Sequence, residues 1–82
     1  MNVKDIIFEI EKYIINLHIE TGTQLNIKID ENTKLLEEII DFDSLELAGL
    51  VAHLEDYTNF DPFEEGFIEF FTVGELAKLF EK

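Results

Sequence analysis

The sequence predicts a small all-α domain with three main helices, one minor helix and one long loop. Three observations support this fold class. Apolar residues recur at spacings of three and four, a residue suited to capping a helix precedes each main stretch, and Gly22 or Pro62 lies in the breaks between stretches. A chain of 82 residues suffices for one hydrophobic core, so we expect a single domain over residues 1–82.

The first main helix is predicted from Val3 to Ile19. Its apolar residues fall on one face, and Ile15 and Ile19 add apolar surface beside them. Asn2 is a suitable N-cap, and Gly22 marks the end of the helix. The apolar face consists of Val3, Ile6, Ile7, Ile10, Ile14 and Leu17.

The long loop is predicted over residues 21–32. Leu25, Ile27 and Ile29 alternate with polar residues in this loop. They form either a short extended piece or apolar anchors that hold the loop on the core. The next segment, 33–40, is predicted to hold a turn of helix and to supply further packing groups, which are Leu35, Leu36, Ile39 and Ile40.

The second main helix is predicted from Asp43 to Tyr57. Asp43 followed three residues later by Glu46 is an acidic variant of the capping box, and such a cap contributes about 1 kcal/mol to stability. The helix presents an apolar stripe toward the core, formed by Leu47, Leu50, Val51 and Leu54.

After a break at residues 59–62, the segment 64–71 is predicted to form a short helix or turn that docks on the core. Its aromatic side chains, like the others of the chain, are assigned to packing. Thr72 and Glu75 form a second capping box, which predicts the start of the last main helix. The residues expected to face inward are Phe67, Phe70 and Phe71 in the segment and Val73, Leu76, Leu79 and Phe80 in the helix.

The formal net charge of −13 restricts the partners of this chain. All six basic residues are lysines, and residues 35–77 contain none. This charge disfavours nucleic acids and anionic membrane surfaces, and it favours partners with basic patches. The alternative is that the charge serves solubility alone. The acids of the segment are Glu37, Glu38, Asp41, Asp43, Glu46, Glu55, Asp56, Asp61, Glu64, Glu65, Glu69 and Glu75.

The surroundings expected for the protein follow from three features. The chain has no cysteine, which is typical of a reducing compartment. Acidic residues interrupt the N-terminal stretch where a signal peptide would have an apolar run. The apolar runs also fall short of the ~20 residues that cross a bilayer. We therefore expect a cytoplasmic protein that does not insert into membranes, and separately we expect it to be a monomer.

Ser44 is the only serine of the chain, and it follows the predicted cap Asp43. As the first helical residue, it would point its hydroxyl outward beside free backbone N–H groups and the positive end of the helix dipole. Both features would stabilise an attached phosphate. Leu45 should be partly exposed beside it, because Leu47, Leu50 and Leu54 occupy the inner face. The alternative is that Ser44 merely starts the helix.

These residues resemble the core motif of acyl carrier proteins and peptidyl carrier domains. The resemblance covers roughly Asp30 to Phe80. It begins with a loop segment that resembles the one leading to the family's modified serine, and it ends with a segment that resembles the start of the family's final helix. The matching stretches are Asp30-Glu31-Asn32-Thr33-Lys34-Leu35-Leu36-Glu37, Phe42-Asp43-Ser44-Leu45-Glu46-Leu47, Leu50-Val51-Ala52-His53-Leu54-Glu55-Asp56-Tyr57 and Thr72-Val73-Gly74-Glu75-Leu76.

The resemblance implies a small four-helix bundle with a covalent 4′-phosphopantetheine on Ser44. A phosphopantetheinyl transferase would attach this arm from coenzyme A. The arm would carry an acyl or aminoacyl group as a thioester to a loading enzyme and to downstream synthases with basic docking patches. The family's docking positions correspond to Asp43, Leu45, Glu46, Glu55 and Asp56; the alternative for each is ordinary solvated surface.

The sequence departs from the family pattern at two places, and both departures bear on which biosynthetic pathway the carrier would serve. Gly49 lies where carriers of fatty-acid synthesis usually have a docking glutamate, and residues 40–42 lack the glycine found in many relatives. Gly49 either lets a partner approach closely or eases packing, and it weakens the helix by up to ~1 kcal/mol relative to alanine. A carrier dedicated to a specialised pathway is therefore at least as well supported as the fatty-acid carrier.

The chain does not have the residues expected of an autonomous enzyme. His18 and His53 are its only histidines and are predicted to be surface or boundary residues. His53 lies about 13 Å along the helix from Ser44, too far for a nucleophile–base pair. The acidic stretches lack EF-hand spacing, so no metal site is expected. The main alternative to a carrier is an unmodified acidic protein-interaction module.

Overall fold

A computed structural model describes residues 2–22, 28–39 and 42–81. Within these ranges the chain forms four helices: α1 (Val3–Thr21), α2 (Leu35–Glu38), α3 (Ser44–Thr58) and α4 (Val73–Phe80). The same ranges contain no strand beyond one isolated antiparallel bridge between Lys34 and Thr72. The predicted all-α class is confirmed.

The helix α1 follows the prediction and runs two residues further. Asn2 caps it, because its side chain accepts a hydrogen bond from the Asp5 N–H at 2.9 Å. Gly22 ends it in the left-handed conformation, with φ of 75°. Ile6, Ile10 and Ile14 are fully buried at four-residue intervals and form the inner face of the helix.

The described part of the long loop is held against the start of α4. The Val73 N–H donates to the Thr33 carbonyl at 2.9 Å, and the Gly74 N–H donates to the Glu31 carbonyl at 2.8 Å. A Cβ on Gly74 would lie 2.8 Å from that same carbonyl oxygen, so this approach requires glycine. Ile29 is buried, as expected of an apolar anchor. Leu25 and Ile27 lie outside the described residues.

The helix α2 is the short helix of the bundle, and its first residue and its C-cap residue belong to the core. Leu35 and Ile39 are buried. Leu36, predicted as a packing group, is exposed instead, because a single helical turn can turn only one side toward the core. Ile40 and Asp41 lie outside the described residues.

The segment 60–71 forms turns, which decides between the two predicted alternatives. The Gly66 N–H donates to the Phe63 carbonyl at 3.0 Å, and Gly66 has a φ of 144°. Phe63 and Phe70 pack against the core. The prediction that Phe67 and Phe71 face inward is wrong: both are exposed. A segment without helical hydrogen bonds does not keep its aromatic residues on one face.

The core lies between α1, α3 and α4. The capping box of α4 forms as predicted, with the Glu75 N–H donating to Thr72 Oγ1 at 3.1 Å and the Thr72 N–H donating to Glu75 Oε1 at 3.0 Å. The buried apolar residues are Ile6, Ile10, Ile14, Ile29, Leu35, Ile39, Phe42, Leu50, Leu54, Val73, Leu76, Ala77 and Phe80.

Candidate functional site

Ser44 is the first residue of α3 and is exposed, as the sequence predicts. Asp43 is the N-cap in extended conformation, and its Oδ1 accepts hydrogen bonds from the Leu45 and Glu46 N–H groups, both at 3.1 Å. The Asp43 half of the predicted capping box is therefore formed. This cap fixes where α3 starts and so places the Ser44 hydroxyl at the surface.

The amide groups beside Ser44 are already occupied, which corrects the expectation of free N–H donors there. The Asp43 carboxylate accepts hydrogen bonds from the Leu45 and Glu46 N–H groups, and the Asp43 backbone carbonyl accepts one from the Leu47 N–H at 2.9 Å. A phosphate on Ser44 would still lie at the positive end of the α3 dipole. It would also lie beside the carboxylate of Asp43, whose charge opposes it.

Leu45 leaves 77% of its surface exposed, as predicted for a residue opposite the apolar stripe. Asp43 and Asp56 are exposed, whereas Glu46 and Glu55 are half-buried. Glu55 lies eleven residues beyond Ser44, about 16 Å along the helix. The five predicted docking residues thus form two groups at opposite ends of α3.

An open groove runs along α3 from Ser44 to Glu55, with a volume of about 460 Å³. The α3 residues that line it fall at spacings of three and four and so share one face. Exposed Ala48 and Ala52 provide the smallest side chains of this face. The full lining is Ser44, Leu47, Ala48, Val51, Ala52, Glu55, Phe63, Phe67 and Phe70.

Three aromatic rings from the segment 60–71 form the other side of the groove. Phe63 stacks on Phe67 with ring centroids 5.7 Å apart, and Phe70 lies 5.9 Å from Phe63 and 6.1 Å from Phe67. Phe63 also meets the buried ring of Phe80 edge-on at 6.2 Å. The sequence pattern predicts that these rings pack against the core. The acids between them, Glu64, Glu65 and Glu69, were the available sign that the segment lies at the surface.

A second, smaller groove of about 190 Å³ adjoins the first. The two share Leu47 and Phe70 in their linings. Lys34 lies on its rim with its Nζ 3.6 Å from Glu37 Oε2. The surface beside Ser44 is therefore a continuous apolar strip. The smaller groove is lined by Lys34, Leu35, Leu36, Glu37, Leu47, Phe70 and Phe71.

The far end of the larger groove carries a pair of carboxyl groups. Partial desolvation, together with repulsion by and hydrogen bonding to the nearby Asp61 carboxyl group, raises the pKa of Glu55. Glu55 therefore holds a proton at a higher pH than a free glutamate does.

On another face of α3, His53 connects the helix to α1. Its Nε2 lies 2.7 Å from Glu9 Oε2, and Lys12 Nζ lies 3.3 Å from Glu9 Oε1. The hydrogen bond with His53 is the main cause that lowers the pKa of Glu9. His18 is buried, with its Nδ1 2.8 Å from the Ile14 carbonyl, so its predicted surface or boundary position is wrong. Both histidines have structural contacts.

Gly49 faces α1 and is in close contact with Tyr13. A Cβ on Gly49 would lie 2.7 Å from Tyr13 Oη. Of the two predicted roles for this glycine, close packing within the chain therefore has direct support. The group that approaches Gly49 is the Tyr13 side chain of the same chain, not a partner protein.

No protein-family model, no curated protein and no solved structure matches this chain. The resemblance to carrier proteins therefore depends on the four matching stretches between Asp30 and Leu76 alone. Within the described ranges, no helix is long and apolar enough to span a bilayer. The same ranges hold no cluster of three or more histidine, aspartate or glutamate side chains suited to a metal ion.

Proposed function

We propose that this chain is a carrier protein that bears 4′-phosphopantetheine on Ser44. The observation that carries the proposal is the position of the only serine: it is exposed at the first residue of α3, between the cap Asp43 and the exposed Leu45. When bound, the group supplies a terminal thiol that holds an acyl or aminoacyl cargo as a thioester. The chain itself contributes attachment and recognition rather than catalysis.

The residues around Ser44 suit such an attachment. Ser44 is exposed to solvent, and the hydrogen bonds that the Asp43 carboxylate accepts from the Leu45 and Glu46 N–H groups fix the helix start on which it lies. The acidic side chains of Asp43 and Glu46 would attract a transferase and later enzymes that have basic docking patches. Leu45 offers such partners an exposed apolar contact beside the modified residue.

The first test is the intact mass of the protein before and after incubation with coenzyme A and a promiscuous phosphopantetheinyl transferase. We expect the addition of one arm to the wild-type chain and none to Ser44→Ala. The alanine variant should keep its helical circular-dichroism signal, because Ser44 is exposed. An arm on Ser44→Ala, or an unmodified wild-type chain with several transferases, would overturn the proposal.

A second candidate function is an unmodified acidic interaction module. The observation that favours it is the set of exposed apolar side chains among acids, of which Leu45, Phe67 and Phe71 have the largest exposed fractions within residues 42–81. Exposed apolar groups within a charged surface are typical of sites that bind other proteins. Such a module would keep its partner after Ser44→Ala, whereas a carrier would lose its cargo.

A further inference from the structure

The helix α1 has a second apolar face, which points away from the core. Phe8, Ile15 and Ile19 are 59%, 40% and 71% exposed. At about 3.6 residues per turn they lie within about 40° of one another, and about 160° around the helix from the buried isoleucine row of its inner face. A surface helix ordinarily carries polar residues on the side opposite its core face. The packing within this chain therefore does not account for the outer face of α1.

The outer face has the residue spacing of helices that pair side by side. Its residues follow one another at intervals of four, three and four, which is the spacing of the seam in a two-helix coiled coil; they are Phe8, Lys12, Ile15 and Ile19. The charge of Lys12 is directed to the side of this seam, since its Nζ lies 3.3 Å from Glu9 Oε1 and 5.3 Å from the centroid of the Phe8 ring. The methylene groups of Lys12 can therefore cover apolar surface while its ammonium group stays paired.

The distribution of charge makes α1 the face through which two copies of this chain can meet. Residues 2–22 carry two lysines and four acids, whereas residues 35–77 carry twelve acids and neither Lys nor Arg. The other exposed large apolar side chains of the described residues all lie within 36–71. Two copies that met there would bring these acids together and repel one another.

Contact through α1 keeps the acidic stretches of two copies apart. The helix α3 packs on the inner side of α1, across the core. From α3 of one copy to α3 of the other there would be three helix-to-helix spacings of about 8–10 Å each, or roughly 24–30 Å. This distance is about three Debye lengths at physiological ionic strength. The repulsion between two chains of net charge −13 would therefore be largely screened.

We propose that this protein forms a weak dimer in which the outer faces of α1 from two copies pair antiparallel about a two-fold axis. In this order Phe8 lies opposite Ile19 of the second copy. Lys12 lies opposite Ile15, so the two copies of Lys12 do not face each other. Each Lys4 comes to the C-terminal end of the other α1, where the helix dipole favours a positive charge. The two-fold axis gives each seam a partner of the same spacing.

The size of the contact makes the dimer weak. The helix α1 has 19 residues and is about 28 Å long at ~1.5 Å per residue, and the contact strip is about 10 Å wide. The strip covers ~280 Å² on each copy, against ~800 Å² per partner in a standard interface. We expect a dissociation constant between about 10 µM and 1 mM, so that the monomer expected from the sequence is the dilute state. The contact leaves Ser44 free and does not depend on the proposed carrier function.

Sedimentation equilibrium of the full unmodified chain tests the dimer directly. We expect the average mass to rise from 9.6 kDa toward twice that value as the concentration increases from about 10 µM to about 1 mM. A mass that stays at 9.6 kDa over this range would overturn the inference. Growth well beyond twice this mass would also overturn it, because a two-fold contact closes at the dimer.

Matched substitutions assign the association to α1. Phe8→Gln should weaken dimerisation at least about tenfold, because a large aromatic side chain carries much of the binding energy of a small interface. Phe67→Gln removes a similarly exposed ring from the acidic stretch and should change dimerisation by no more than about twofold. Ile19→Gln, with a good helix former, should weaken the dimer and keep the helical circular-dichroism signal. Equal effects of Phe8→Gln and Phe67→Gln would overturn the inference.

Salt separates this contact from one driven by opposite charges. Raising sodium chloride from about 0.01 M to 0.15 M shortens the Debye length from about 30 Å to about 8 Å. The dimer should become tighter, since salt screens the repulsion between two acidic chains. Association that weakens with salt would indicate that lysines of one copy bind acids of another, and it would overturn the pairing of the two α1 faces.

A bilayer is the other apolar surface that this face of α1 could meet. In flotation with neutral phosphatidylcholine vesicles, we expect the protein to remain in the unbound fraction. Flotation of the wild-type chain that is lost in Ile19→Gln would assign the face to membranes and overturn the inference.

Discussion

Asp43 affects the site at Ser44 in two ways. Its carboxylate caps α3 through two amide hydrogen bonds, and its charge contributes to the acidic surface around the serine. The two effects can be separated, since asparagine caps a helix about as well as aspartate does but carries no charge.

Asp43→Ala should lower the free energy of unfolding by about 1 kcal/mol, because it removes the cap. Asp43→Asn should change it by only a few tenths of a kcal/mol, since the amide oxygen can accept the same hydrogen bonds. Urea denaturation of both variants measures the difference. Under the proposed function, Asp43→Asn should still reduce the loading rate at low salt. Equal destabilisation of the two variants would show that charge, and not capping, is what Asp43 contributes to stability.

Gly49 and Tyr13 should show a strong non-additive effect on stability. Gly49→Ala gains up to ~1 kcal/mol of helix propensity but brings a Cβ to 2.7 Å from Tyr13 Oη. In Tyr13→Phe the clashing oxygen is absent, and the next ring atom would be at an ordinary 3.9 Å. Gly49→Ala should therefore stabilise the Tyr13→Phe background more than the wild-type background. A double-mutant cycle by urea denaturation measures the difference, and additive effects would contradict the contact.

For single residues, the sequence predicts the features that depend only on neighbours within the same helix. The position of Ser44 and the exposure of Leu45 follow from the cap and the helical period, and both are confirmed. The amides of Leu45 and Glu46 are occupied because the Asp43 carboxylate caps them, which the predicted cap already implies. The role of Gly49 depends on Tyr13, a residue 36 positions away in the sequence, and so could not be obtained from local patterns.

At the scale of elements, the helix starts were the best predicted feature. Asn2, Asp43 and Thr72 each cap a helix in the structure, because capping is decided by residues within one turn. The segment 60–71 was less predictable. Its phenylalanines are distributed between the core, the groove and solvent according to contacts with α3 and α4, which a local pattern does not contain.

The contact between α1 and α3 should make stability depend on pH. The pKa of Glu9 is lowered from 4.5, first by its hydrogen bond with His53 and further by Lys12, against an opposing effect of burial. A carboxylate with a lowered pKa in the folded state contributes stability that is present above 4.5 and is lost as the pH falls through the folded value. The contribution should therefore be present at pH 7 and decline below pH 4.5.

Glu9→Gln should accordingly lower the free energy of unfolding at pH 7, and the difference from wild type should shrink below pH 4.5. Denaturation curves across this range measure the difference. Glu11→Gln, on the same helix, is the control for the loss of one negative charge. A deficit of Glu9→Gln that stays constant down to the acid limit would mean that the ion pairs of Glu9 do not contribute to stability.

For the molecule as a whole, the net charge of −13 has opposite effects on stability and on partner binding. Residues 35–77 carry twelve acids and no Lys or Arg, so like charges repel one another in the folded state. The same charge would accelerate encounters with basic partners. Salt reduces both effects, because the Debye length falls from about 30 Å at 0.01 M to about 3 Å at 1 M.

Raising the ionic strength should therefore increase the melting temperature while slowing enzymatic loading of the proposed carrier. A gain of about 1 kcal/mol from screening would raise the melting temperature by about 4–8 °C in a domain of this size.

Sodium and magnesium chloride should act alike at equal ionic strength, since the described residues hold no cluster suited to a metal ion. The exposed pair Glu64 and Glu65 provides the matched variant: Glu64→Gln with Glu65→Gln should reduce the response to salt. A rise specific to magnesium would indicate a bound ion, and an unchanged melting temperature would mean that the acids lie too far apart to strain the fold.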